Sequence, residues 1–254
     1  MTPPPLVLDN VTVAYARHPA VHHLSGRFAP GSMTAVVGPN GAGKTSLLRA
    51  LVGEVRLDQG RIDRGGLPAH AMGYLPQAAA LDRSFPLACA EVAAMGLWAA
   101  AGPFRALSRP ERARLDDALA AVGLRGFASR PLATLSAGQF QRLLFARLLL
   151  QDAPVLLLDE PFTAVDSRTT ADLIRVLRRW HGEGRTIIAV LHDLDLVRAE
   201  FPEALLLARE PIAWGRTAEA LTPENLFRAR LMAEAWDEAA EPCRYDHAAA
   251  RRAA

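Results

Sequence analysis

Residues 38–45 read GPNGAGKT and follow a short apolar run, MTAVV, at 33–37. They satisfy the pattern G-x-x-x-x-G-K-[ST] at every position, in the strand-then-helix setting the pattern requires. The chemistry is phosphate binding. Gly38, Gly41 and Gly43 let the backbone wrap phosphate oxygens, with Pro39, Asn40, Ala42 and Ser46 completing the loop. Lys44 reaches the β- and γ-phosphates, and the hydroxyl of Thr45 binds Mg²⁺. A second set of reactive groups closes the run VLLLDE at 155–160. Asp159, at the end of a buried strand, suits the Mg²⁺ shell, and Glu160 suits a general base for an attacking water. A third stretch, LSAGQ at 135–139, is a short polar turn opening an apolar helix. Free backbone N–H groups and the helix dipole make such a start favourable for an anion. One chain therefore carries two turns suited to phosphate.

The lysine count supports the first of these. The chain of 254 residues has 29 Lys and Arg together, yet Lys44 is the only lysine. A compact ammonium between phosphate oxygens is not replaced by a planar guanidinium. Net charge is +2 with no block of like charge, which gives no reason to expect a nucleic-acid partner. Cys89 and Cys243 stand in no metal or redox spacing, so nothing demands an oxidising compartment. The opening MTPPPLVLDN has neither the basic nor the apolar region of a signal peptide. Residues 87–104, LACAEVAAMGLWAAAGPF, are apolar but contain Glu91, Gly96, Gly102 and Pro103. They are read as an apolar helix docking on another protein rather than as a membrane span.

The elements that must hold these residues follow from periodicity. Alternation over 6–15 predicts a strand, as do the apolar runs 33–37, 155–160 and 186–193. Helices are expected over 44–53, 139–151 and 169–180. Residues 54–75, Gly-rich with short apolar pieces, suggest small antiparallel strands and turns. Residues 78–134, rich in Ala, Leu and Arg, suggest a helical insertion. A strand pair is expected at 204–208 and 211–215, then a helical tail from about Leu221. Buried strands alternating with helices mean an α/β sheet flanked by helices.

The order GPNGAGKT, YLPQ at 74–77, LSAGQ, VLLLDE and a lone His192 after TIIAV resembles the ATP-binding subunit of ABC transporters over most of the chain. The resemblance implies an α/β P-loop NTPase fold with a RecA-like core, an antiparallel β subdomain and a helical subdomain. Residues 1–77 and 136–254 would form the ATP-binding core with its β subdomain, and 78–135 the helical subdomain that docks a permease. It implies ATP and Mg²⁺ as ligands, the ion held through Thr45, Gln77 and Asp159. Gln77 resembles the glutamine that links the site to the helical subdomain, and His192 resembles the histidine that contacts the γ-phosphate. Tyr15 resembles the aromatic that stacks on adenine. In this family two copies pair head to tail, so that Ser136, Ala137, Gly138 and Gln139 of one meet the ATP of the other, and Asp166 also reaches across. The usual signature is LSGGQ, so Ala137 is a departure that keeps φ negative there.

A single nucleotide domain without its own membrane path resembles a bacterial importer ATPase at the cytoplasmic face of the inner membrane. It would work with integral-membrane permease subunits and, indirectly, a periplasmic metal-binding protein. Residues 81–98 and the segments DEPFTAVD and AVLHDLDLVRAEFP are similar to the zinc/manganese group, above all its proteobacterial zinc members. Manganese or iron chelates are the alternative cargoes. A soluble ABC protein would carry two nucleotide domains or a long coiled coil, and a P-loop kinase has no use for LSAGQ. His18, His22 and His23 read as part of a polar hairpin rather than a metal site, and Cys243 with His247 as part of a fraying tail.

Overall fold

Strands with β-branched and leucine side chains on both faces form the centre of the protein, because only a sheet covered on both sides buries such runs. The computed structural model describes residues 3–15, 18–78, 81–98, 102 and 106–234. Among the described residues, nine strands fall in two sheets. Strands β1 (Leu6–Tyr15), β2 (His18–Phe28) and β4 (Gln59–Asp63) make a three-stranded antiparallel sheet in the order β2-β1-β4. The main sheet runs β5-β6-β7-β3-β8-β9, from β3 (Met33–Val37), β5 (Gly73–Leu75), β6 (Val155–Asp159), β7 (Thr186–Val190), β8 (Glu203–Ala208) and β9 (Glu210–Arg216). All neighbours there are parallel except the β8–β9 hairpin at one edge.

Every residue of β3, β6 and β7 is buried, and their side chains divide by alternation. Met33, Ala35, Leu156, Leu158, Ile187 and Ala189 join one core. Val36, Val155, Leu157, Ile188 and Val190 join the other, beneath the small sheet. Helix α1 (Lys44–Val52) closes that second core with Leu47, Leu48 and Leu51. The first core is closed by α2 (Cys89–Ala94), α3 (Arg109–Ala121), α4 (Ala137–Gln151) and α5 (Ser167–Gly182). Trp180 of α5 stacks on Phe145 of α4, with ring centroids 5.8 Å apart. Helices α6 (Leu194–Glu200), α7 (Thr217–Ala220) and α8 (Pro223–Glu234) complete the described chain. No described helix is long and apolar enough to cross a membrane.

One expectation needs correction, and the polar hairpin after Tyr15, present as the antiparallel β1–β2 pair, is longer than its histidines. The segment 54–75 is not wholly antiparallel. Its last piece, β5, is a parallel edge strand of the main sheet, paired with β6. It is pinned there from α4, where Gln151 donates to Met72 O at 3.0 Å and Arg147 donates to Tyr74 O. The polar stretch around His18 is a full strand of 11 residues. Its alternation is broken at His23, which has a φ of 51° and lies where the pairing with β1 shifts register.

Candidate functional site

The parallel order β5-β6-β7-β3 places the carboxyl ends of four strands side by side, and ligands in open α/β sheets bind outside such ends. Gln77 follows β5, Asp159 and Glu160 end β6, His192 follows β7, and the loop 38–45 follows β3. Residues 32 and 83 positions from Glu160 in sequence are thereby brought onto its carboxylate.

The loop is held tightly from behind. Gly43 caps α1 with φ of 90°, and a Cβ there would sit 1.9 Å from Ala20 O of β2. Only glycine satisfies both the backbone angle and the close approach. Ala42 O accepts from Arg209 N at 3.0 Å, so the β8–β9 turn supports the loop as well. Lys44 is 6% exposed, and its Nζ donates to Gly38 O at 2.9 Å and Pro39 O at 2.8 Å. Burial pulls its pKa below the usual lysine range, against the opposing pull of Glu160 and Asp159. Asn40, Gly41 and Thr45 are exposed, and Ser46 is half-buried.

Thr45 Oγ1 donates to Asp159 Oδ1 at 3.2 Å. Asp159 is 1% exposed, and its Oδ2 is buried with no hydrogen-bond partner. Burial raises its pKa, which the Thr45 hydrogen bond opposes. A buried carboxylate oxygen left unpaired beside a hydroxyl is a donor set that a hard divalent cation satisfies. Glu160 lies in the left-handed region at φ of 50°, a costly conformation for a residue with a side chain. Its N–H is tied to Val190 O at 3.2 Å. Its carboxylate accepts from Gln77 Nε2 at 2.9 Å and Thr163 Oγ1 at 3.1 Å, and meets His192 Nε2 at 2.7 Å. Burial pushes its pKa up, but His192, Thr163 and Gln77 together outweigh that and hold it below the usual glutamate range. At neutral pH the site thus holds an ionised, oriented carboxylate.

Tyr15 ends β1, is 46% exposed, and lines a cleft of about 450 Å³ with Val13, Val55 and Leu57.

The LSAGQ turn lies in another place. Ser136 is the N-cap of α4: Gln139 N donates to Ser136 Oγ at 3.2 Å, and Ser136 N donates to Gln139 Oε1 at 3.0 Å. Ala137 begins the helix, where a methyl group is welcome. A Cβ on Gly138 would lie 3.5 Å from Thr169 Oγ1 and 3.7 Å from Asp166 Oδ2, so the turn rests against the Asp166 loop. Asp166 caps α5, accepting from Thr169 N at 2.8 Å. Ser136, Gly138, Gln139 and Asp166 line a cleft of about 540 Å³. Glu160 and His192 line a different one. The structure therefore gathers the expected residues into two groups, and the second phosphate-seeking turn belongs to the group without the lysine loop.

Sequence reasoning missed Thr163 and Thr169. Thr163 stands three residues after Glu160, and that short spacing was the available signal. His22 Nδ1 pairs with Glu210 Oε1 at 2.8 Å and His23 Nδ1 with Asn10 Oδ1 at 2.7 Å. Among the described residues no group of three or more His, Cys, Asp or Glu could hold a metal ion. Cys243 and His247 lie outside the described residues.

Known proteins share this fold. Residues 21–163 match the ABC transporter family. A zinc transport system ATP-binding protein of Treponema pallidum is 36% identical, the match covering 87% of this chain and 85% of that protein. A manganese transport system ATP-binding protein of Bacillus subtilis is 37% identical over 87% of this chain and 90% of its own length. Among solved structures, an inward-facing metal-chelate type ABC transporter is similar with a TM-score of 0.78 at 27% identity, covering 90% of each chain.

Proposed function

The chain belongs to the ABC transporter family, and from that premise we propose that it powers the uptake of a divalent transition metal, with zinc as the cargo. As a member of that family it binds ATP and hydrolyses it to ADP and phosphate. The observation that carries the hydrolytic reading is the Glu160 carboxylate, oriented by His192, Gln77 and Thr163 beside the Thr45–Asp159 pair.

In this reading Lys44 leaves the Gly38 and Pro39 carbonyls to meet the β- and γ-phosphates. Backbone N–H groups of the loop 38–45, and the start of α1, cradle the remaining oxygens. Thr45, Asp159 and the amide oxygen of Gln77 would hold Mg²⁺, which when bound neutralises phosphate charge. Glu160 takes the proton of the attacking water. The water oxygen bonds to the γ-phosphorus as the bond to the β-phosphate oxygen breaks, and His192 orients the γ-phosphate. Tyr15 stacks on adenine. The second group, Ser136, Ala137, Gly138, Gln139 and Asp166, meets the nucleotide of a second copy. This accounts for two phosphate-seeking turns that line separate clefts.

Residues 78–135 would face integral-membrane permease subunits at the cytoplasmic face of the inner membrane, with a periplasmic metal-binding protein delivering cargo on the far side. Zinc and manganese are both supported, by a zinc transport relative at 36% identity and a manganese transport relative at 37%. Deleting the gene and measuring cellular zinc, manganese and iron in chelator-limited medium separates them. A selective fall in zinc, restored by the wild type and not by Glu160→Gln, is expected. A fall in manganese alone would move the cargo, and an unchanged metal profile would refute metal uptake.

A further inference from the structure

Arg142 sits six residues past Ser136, on the same helix α4, with a side chain only 17% exposed. Its guanidinium bonds three acceptors on two other segments. Nη1 donates to Val122 O at 3.0 Å, at the end of α3. Nη2 donates to Asp172 Oδ2 at 2.6 Å and to Thr169 Oγ1 at 3.2 Å, both on α5. The Thr169 hydroxyl, accepting from Arg142, donates in turn to Asp166 Oδ2 at 2.9 Å. The chain of bonds therefore runs from the end of α3, through the LSAGQ helix, to the Asp166 loop.

The surroundings are shaped for this fork. The residue after Val122 is Gly123, with φ of 75°, and a Cβ there would come within 2.8 Å of Arg142 Nη1. Val122 O is one of the carbonyls a helix leaves unpaired at its end. Asp172 is also paired with Arg175, and the Arg142 hydrogen bond heads the causes that hold its pKa below the usual carboxylate range. Planar, delocalised and always charged, a guanidinium can hold three acceptors in fixed geometry, and an ammonium cannot.

We propose that Arg142 is a positioning residue that locks the LSAGQ turn and the Asp166 loop into one body, so that both reach a second copy's nucleotide together. This rests on the reading that those segments act across a dimer. Loose segments would each lose conformational freedom at closure, and a pre-fixed pair has already lost it. Arg142 itself touches neither nucleotide.

The test uses the full chain carrying Glu160→Gln, which should accumulate an ATP-bound dimer. Dimer formation is followed by sedimentation against protein concentration at saturating ATP. Adding Arg142→Met should raise the concentration for half-dimerisation about tenfold, equivalent to ~1.4 kcal/mol. Arg142→Lys should fall between it and the parent. Thr169→Val keeps the shape and removes only the relay hydroxyl, so it carries the test even if Arg142→Met fails to fold. It should shift the same midpoint at least about threefold, because both bonds of that hydroxyl are to charged groups. Binding of a fluorescent ATP analogue to the monomer should stay unchanged, which separates positioning from general damage. Variants that dimerise at the parent's concentration overturn the role of Arg142 and leave the dimer reading intact. A parent that never dimerises with ATP overturns both.

Discussion

Glu160→Gln should abolish turnover while leaving nucleotide binding intact, and the site's geometry says why both halves hold. Glu160 Oε2 accepts from Gln77 and Thr163, and Oε1 meets His192 Nε2. A glutamine placed with its oxygen at the first position keeps both donors. Its amide nitrogen then donates to His192, provided the ring proton moves to Nδ1. All three contacts survive, so the pocket keeps its shape. What disappears is the proton acceptor. The wild-type carboxylate has a lowered pKa and is ionised at neutral pH in essentially every molecule, so the loss is complete rather than fractional. General-base loss of about 10²–10³-fold raises the barrier by about 2.7–4.1 kcal/mol. Phosphate release in a single-turnover format, beside titration with a fluorescent ATP analogue, measures the two halves separately. Turnover within threefold of wild type would refute the assignment of Glu160. Equal loss of ATP binding would refute the claim that its contacts survive exchange.

Two further outcomes follow from the same site. Asp159 has a pKa raised by burial, so its protonation on acidification begins above the pH at which an ordinary aspartate titrates. The apparent Mg²⁺ affinity for ATP hydrolysis should therefore weaken as pH falls below neutral, and more steeply in the wild type than in Asp159→Asn, where only the nucleotide's own phosphate titrates; equal slopes would refute the role of Asp159. Gly43→Ala would place a methyl 1.9 Å from Ala20 O at a φ of 90° and should displace the loop, with ATP affinity falling at least about tenfold in a binding titration; unchanged affinity would show that β2 gives way.

The lysine loop, the paired acids and the buried strands were legible because each is a local pattern. GPNGAGKT carries its own strand and helix, and VLLLDE is apolar on both faces because both faces are covered. Strand β2 was hidden because His22 and His23 look solvated, yet Glu210 and Asn10 supply their partners from elsewhere in the chain. Strand β5 is three residues long, too short for any period, and α4 side chains fix it. Arg142 carries no signal in the sequence. Its acceptors lie 20 to 30 residues away, and no local spacing announces them. The roles given to Gln77, Asp166, His192 and Tyr15 came from resemblance, and side-chain geometry alone would have suggested only the first three.

Lys44, the one lysine of the chain, is buried behind two carbonyls of its own loop with its pKa lowered. Every other basic side chain is arginine, which ordinary acylating reagents leave alone. The chain therefore has a single side-chain amine, at the place where the nucleotide would sit. An amine-directed label becomes a footprint of occupancy: apart from the terminal amine its one amine target is Lys44, and a fall in Lys44 modification on adding ATP reports a filled loop, without a tag or an engineered cysteine.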